Sequence, residues 1–263
     1  MIPVVVVSLV RSVERRAAMT ARLDAIDVPF TFFDAVDGSL MTAAQAAAAC
    51  LRSNPRRYGE YLRPAEIGCI ESFRLVCDRI ARGDDAHVCV MEDDVTLDQS
   101  ACELLDEGAL RNLPPFDILR LQHHSERWLP VAARGSFRVG APLRPTYGTR
   151  AHVFSRAGAA KVAAGLANPW MPIDMAVFSD GIVHDLRILE VAPPVAFHPD
   201  AQDDISTIDP TETRPRARHE SRARATLVRR ARRSVYESAS RLRVLRNFVR
   251  QWGWSALLRV RRA

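Results

Sequence analysis

Apolar residues in this chain fall into short runs separated by amphipathic stretches, and the period of each run predicts an element. Residues 4–9 are a continuous, mostly β-branched run, the pattern of a strand buried on both faces. Ser12 is placed to cap a helix running to about residue 25, with Arg15 and Arg16 in its early turns. A second strand is expected over 28–33, ending in the polar turn Asp34-Ala35-Val36-Asp37-Gly38. Residues 42–51 read as an Ala-rich helix. Pro64 opens another helix, with Glu66 in its first turn. Its stripe of Ile67, Ile70, Phe73, Val76, Cys77 and Ile80 runs to a stop at Gly83.

Beyond it, residues 87–91 form an apolar strand that runs directly into Glu92, Asp93 and Asp94. A helix is expected over 100–112 and a strand over 116–121. Glycine and proline interrupt 128–143, which reads as loops with weak strands. A strand over 149–155, helices over 156–166 and 172–178, and a strand over 186–191 complete the series. Strands alternating with helices indicate a layered α/β domain.

The last fifty residues change this picture. From residue 214 to 263, sixteen arginines face two acids, Glu220 and Glu237, whereas 21 basic and 29 acidic residues precede them. An acidic body, residues 1–210, is therefore expected to carry a basic tail, residues 211–263. Within the tail, Val235, Ala239, Leu242, Leu245, Val249, Trp252 and Ala256 define one helical stripe, flanked by Arg241, Arg243, Arg246 and Arg250. Such a helix suits an anionic membrane surface, and it equally suits packing against the acidic body. Residues 211–233 have few large apolar side chains and read as a flexible or marginally helical link. Aromatic residues in the tail are not interleaved as in a recognisable RNA-binding module, so no specific nucleic-acid partner is expected.

Five cysteines without CxxC spacing argue against a zinc ribbon or a disulfide framework and suit a reducing compartment. The longest uncharged stretch, residues 38–51, is too short to span a bilayer. The apolar first ten residues lack a preceding basic segment and read as a strand rather than a signal peptide. A cytoplasmic protein, with a possible peripheral contact to the inner face of the membrane, is expected.

The acid triplet carries the strongest chemical signal. In open α/β sheets ligands bind beyond the carboxyl ends of strands. Three adjacent carboxylates there repel one another unless a hard cation such as Mg²⁺ or Mn²⁺ shares them. A solvated acidic turn is the alternative. Ser8, Leu9 and Arg11, followed by Arg15, occupy a strand-to-helix turn, a natural anion site in which arginines pair with phosphate. A solvated basic helix face is the alternative there. His198, in Phe197-His198-Pro199, has the chemistry of a late metal ligand or of an ordinary surface or core histidine. The adjacent His123 and His124 point to opposite faces of a strand and read as structural or as part of the substrate rim.

Several pieces of this sequence occur together, in order, in a known family. These are Val5-Val6-Val7-Ser8-Leu9 with Arg11, Arg15 and Arg16; Phe32-Phe33-Asp34-Ala35-Val36-Asp37-Gly38; Ala65-Glu66-Ile67-Gly68-Cys69; and Val90-Met91-Glu92-Asp93-Asp94-Val95. Ser155-Arg156-x-Gly158-Ala159, Pro172-Ile173-Asp174 and Asp203-Asp204-Ile205 continue the match to about residue 208. The set resembles glycosyltransferase family 25, the lipooligosaccharide galactosyltransferases and their collagen-modifying relatives. That resemblance implies a GT-A-like nucleotide-sugar fold. It implies a metal-bridged donor, usually UDP-galactose, and transfer with inversion to a saccharide, here a lipopolysaccharide or other lipid-linked glycan. Glu92, Asp94 and His198 would then hold Mn²⁺ or Mg²⁺. Ser8, Leu9, Arg11, Arg15, Asp34 and Asp93 would bind the donor. Asp174, with Glu66 second, would act on the acceptor as general base. Where the family pattern usually has Ser-His after the Glu-Ile-Gly-Cys piece, this chain has Ser72-Phe73. Any polar contact made by that histidine is absent, although helical spacing puts Phe73 on the apolar stripe. A catalytically silent nucleotide-sugar-binding member, or a membrane-binding protein acting through its tail, are the competing readings.

Overall fold

The computed structural model describes residues 1–42, 44–45, 48, 62–122, 125–198 and 222–262, excepting the side chains of 222–230, 232 and 233. Most of the Ala-rich segment, His123, His124 and the Asp203-Asp204-Ile205 piece lie outside the described residues.

The valine-rich start forms β1 (Val4–Ser8), which pairs in parallel with β2 (Thr31–Asp34) on one side and β3 (His87–Glu92) on the other. Beyond β3 the sheet becomes mixed. β8 (Ala151–Ser155) runs antiparallel between β3 and β5 (Ile118–Arg120), and β9 (Ile188–Ala192) lies parallel to β5. β7 (Phe137–Pro142), β6 (Arg127–Arg134) and β11 (Arg261–Arg262) add three antiparallel strands at the far edge. β4 (Thr96–Leu97) and β10 (Ala196–Phe197) form a separate short ladder just after the acid triplet.

Alternation along the strands divides the core into two layers. Val4, Val6, Cys89, Met91, Leu119 and Val153 face one side, under Met19 and Leu23 of α1 (Val13–Asp24). Val5, Val88, Val90, Ile118 and Phe154 face the other. That second face is covered by α2 (Pro64–Arg82), α5 (Arg156–Gly165) and α6 (Ile173–Phe178). A sheet covered by helices on both faces matches the expected layered α/β domain.

Two expected elements differ. The helix anticipated over 100–112 is split into α3 (Ala101–Leu104) and α4 (Glu107–Arg111). Asp106 restarts the helix by accepting a hydrogen bond from Ala109 N at 2.8 Å. Residues 128–143 are a regular β6–β7 hairpin and not loops. Its interrupting residues sit where they are tolerated. Gly135 takes the turn at φ 52°, and Pro130 flanks a register shift.

The long α7 (Arg222–Trp252) packs on the body through only part of the expected apolar stripe. Val235 and Leu242 of that stripe are 70% and 68% exposed, whereas Val249 and Trp252, with Ala256 just beyond the helix, pack on the core. Tyr236, Ser240 and Phe248, outside the stripe, are buried. Ser240 Oγ donates to Ser179 O, Arg243 Nε to Asp180 O, and Asn247 and Gln251 both donate to Leu186 O. Half of the contact face is therefore polar and matched to open carbonyls, which a search for apolar periodicity does not detect. Among the described residues, no helix is long and apolar enough to cross a membrane.

A donor-sized cleft at the carboxyl ends of β1 and β3

Because β1 and β3 are parallel neighbours, the residues after them emerge side by side. They open into a cleft of about 840 Å³, within the usual range for small-molecule sites. Ser8, Leu9, Arg11 and Arg15 line it from the β1–α1 turn, and Glu92, Asp93 and Asp94 from the end of β3. Asp37, Gly38 and Ser39 close one wall, and Ala65, Cys69, Ser72 and Phe73 of α2 another.

Two glycines set the contact between those walls. A methyl group on Gly68 would meet Val36 O at 2.6 Å, and one on Gly38 would meet Pro64 O at 2.0 Å. The loop after β2 thus lies backbone-to-backbone on the first turns of α2. Ser72 fastens the joint, accepting from Val36 N at 2.8 Å and donating to Gly68 O at 2.6 Å. Phe73 is 2% exposed and packs with the α2 core, so its ring supplies an apolar patch of wall.

The three acids have different surroundings. Asp93 is buried, accepts from Ser8 Oγ at 2.6 Å and pairs with Arg15 Nη1 at 2.9 Å. Arg15 Nη2 reaches Asp94 Oδ2 at 2.5 Å. Glu92 accepts from Thr149 Oγ1 at 2.6 Å. Burial, with Asp94 nearby, pushes the Glu92 carboxyl up to about 7, and burial also raises Asp93. Asp94 Oδ1 is buried and accepts no hydrogen bond among the described residues. His198 Nδ1 stands 3.4 Å from Asp94 O, so the short β4–β10 ladder brings the candidate imidazole to the triplet.

Among the described residues, no three His, Cys, Asp or Glu side chains already stand as a cation site. The donor set is nevertheless of the hard-oxygen kind, and Asp94 Oδ1 offers a lone pair without a partner. These residues fit a divalent cation once Arg15 moves off at least one carboxylate.

Asp174 and Glu66 are not on the cleft lining. Burial pushes the Cys69 thiol up, and the charges of Glu92, Asp174, Glu66 and Asp94 push it further. Glu66 Oε2 accepts from Arg63 N at 2.7 Å, serving the start of α2. Asp174 Oδ1 accepts from Met175 N at 2.8 Å, while Gly148 N stands 3.5 Å from Oδ2. Asp34 is placed elsewhere. Its side chain is 69% exposed and pairs with Arg16 at 2.6 Å, outside the lining. Asp37 takes the wall position and pairs with Arg11 at 2.5 Å, a bond that holds its carboxyl below the usual range. Arg16 also donates to Ser8 O and Leu9 O, fixing the β1–α1 turn.

Sequence reasoning missed the group that holds the other side of the site. Arg120 and Glu190, on paired strands, are fully buried and 3.2 Å apart. Arg120 donates to Tyr147 O and, at 3.1 Å, to Gly148 O, and its guanidinium lies 4.4 Å from the Phe178 ring centre. Burial pulls that guanidinium down to about 10. This network positions the 147–149 segment, whose next links are Gly148 to Asp174 and Thr149 to Glu92. A charged residue within each of two apolar strand runs was the signal available in the sequence.

Comparison with known proteins agrees with this geometry. The family model described as "Glycosyltransferase family 25 (LPS biosynthesis protein)" matches residues 1–134, which include β1, β3 and every residue named above on the cleft lining. The chain belongs to glycosyltransferase family 25. It is a glycosyltransferase. A Haemophilus influenzae (strain ATCC 51907 / DSM 11121 / KW20 / Rd) protein called "Putative glycosyltransferase" is 24% identical over 208 residues, covering 74% of this chain and 71% of that protein. The matched family region ends within β6, so Thr149, Asp174 and Glu190 lie beyond it.

Proposed function

We propose that this glycosyltransferase transfers galactose from UDP-galactose to a lipopolysaccharide, lipooligosaccharide or other lipid-linked glycan, with inversion, using a GT-A-like site. The observation that carries this reading is the acid triplet, with Arg15 bound to it and Arg11 on the same lining, in a cleft of about 840 Å³. In this assignment Ser8, Leu9, Arg11, Arg15 and Asp93 bind the donor. Glu92, Asp94 and His198 would hold Mn²⁺ or Mg²⁺, which when bound supplies positive charge against the leaving diphosphate. Asp174 Oδ2 accepts the proton of the acceptor hydroxyl as its oxygen attacks the anomeric carbon. The bond from that carbon to the diphosphate breaks, and the nucleotide leaves on the opposite side. Glu66 assists from the start of α2. Phe73 and the loop after β2 keep bulk water from one wall.

Release of nucleotide from a panel of nucleotide sugars with Mn²⁺ and a glycan acceptor tests this directly. UDP released from UDP-galactose only when acceptor is present is the expected result. Equal release from other nucleotide sugars would reassign the donor. No binding of any of them would remove the reading.

The C-terminal surface supports the location of such an acceptor. After Gly253, Trp254 and Leu258 are 73% and 85% exposed, beside the exposed Arg259, Arg261 and Arg262. Apolar side chains among arginines complement an anionic lipid surface, each nearby arginine contributing about 1 kcal/mol. The full chain should float with anionic but not neutral vesicles. Replacing Trp254 and Leu258 together by serine, or adding salt, should release it. Wild-type chain that ignores anionic vesicles would remove the membrane contact.

A further inference from the structure

The guanidinium of Arg15 lies across two carboxylates, one of which, Asp94, a divalent cation would also need. Its Nη1 is 2.9 Å from Asp93 Oδ1 and its Nη2 is 2.5 Å from Asp94 Oδ2, while the side chain remains 25% exposed and lines the cleft. The acids it holds are not equivalent. Asp93 keeps a second partner in Ser8, whereas Asp94 has its other oxygen, Oδ1, buried without a hydrogen bond. Losing Arg15 therefore leaves Asp93 half-satisfied and Asp94 bare. An anion entering the cleft meets the same guanidinium, which sits in the first turn of α1, where the helix dipole also favours negative charge.

We infer that Arg15 is an exchangeable counter-charge, paired with Asp93 and Asp94 while the cleft is empty and turned to the donor diphosphate when Asp94 is given to a divalent cation. This deepens the proposed function and rests on it. A bidentate grip on a phosphate requires Arg15 to give up at least one carboxylate, because its two Nη atoms are turned to Asp93 and Asp94. Cation and diphosphate therefore assist each other, because each gives a home to a partner the other displaces. By linkage the assistance is equal in both directions.

Counting free Mn²⁺ by electron paramagnetic resonance, with calorimetric titration of UDP, tests this on the full chain. Wild-type protein should bind Mn²⁺ weakly alone and more tightly with UDP. Arg15→Gln should bind Mn²⁺ alone about tenfold or more tightly, since a charge-assisted competitor is gone. The same variant should bind UDP more weakly in EDTA, and UDP should enhance its Mn²⁺ affinity less. Opposite signs in the two titrations mark the exchange. An arginine that merely props the site would not weaken UDP. Arg15→Lys keeps the charge without the planar fork and should fall between the two; it serves also if the Gln variant fails to melt cooperatively. Mn²⁺ affinity unchanged or lowered in both variants, or UDP affinity unchanged, overturns the exchange. Wild-type protein that binds neither Mn²⁺ nor UDP overturns the proposed function itself.

Discussion

Two arginine–carboxylate clusters lie in this sheet, and they differ in what surrounds them. Arg120 and Glu190 have no exposed side-chain surface. Arg15, Asp93 and Asp94 keep 25%, 8% and 23%. The sealed pair ties into backbone groups, Tyr147 O, Gly148 O and Ser125 N, although Arg120 Nε has no partner among the described residues. The open cluster leaves Asp94 Oδ1 without a partner. The same pairing chemistry therefore serves two ends. Closed to solvent and tied to three backbone groups, it fixes a loop. Beside an open cleft, it is placed to trade partners.

The sharpest way to break this contrast is to remove one acid from the open cluster. Asp94→Ala should abolish Mn²⁺-dependent binding of a nucleoside diphosphate sugar while leaving the melting curve nearly unchanged. Unaltered donor affinity in calorimetry would make the triplet structural. Asp174→Asn should lower transfer by roughly 10²–10⁴-fold with donor binding retained. Wild-type turnover in that variant would pass the base to Glu66. In the sealed cluster the signs reverse. Arg120→Ala strands a buried carboxylate and should cost about 3–5 kcal/mol of stability, read in denaturant melts. A cost below about 1 kcal/mol would show that water reaches Glu190 and that the pair is not sealed. The smallest effect belongs to Asp34, whose exposed pair with Arg16 should be worth at most about 1 kcal/mol. Asp34→Ala should leave donor affinity unchanged, and a loss of affinity would return Asp34 to the site.

The first hundred residues were readable because there one pattern serves one purpose. The valine run of β1, the stripe of α2 and the acids after β3 each follow a single period, and the cleft forms where these elements end. Legibility fell where polar side chains do the packing. Ser240, Asn247 and Gln251 dock α7 through carbonyls, so only the C-terminal part of the apolar stripe, Val249, Trp252 and Ala256, coincides with its packed face. Arg120 and Glu190 find each other across 70 residues, and nothing local marks them as partners. Asp34 and Asp37 illustrate the finer limit. Both belong to one acidic turn, and only the tertiary path of the loop decides which of them faces the cleft.

The joint between Gly38 and Gly68 gives the cleft a fixed gauge. Its width on that side is set by main chain against main chain, with no room for even one methyl group. Side chains on the lining, such as Ser39 and Cys69, can then be exchanged without moving the walls that carry them. A scaffold of this kind separates the size of the compartment from its chemistry. Donor preference can drift by substitution along the lining, while Gly68→Ala would shift the wall itself and disturb every donor alike.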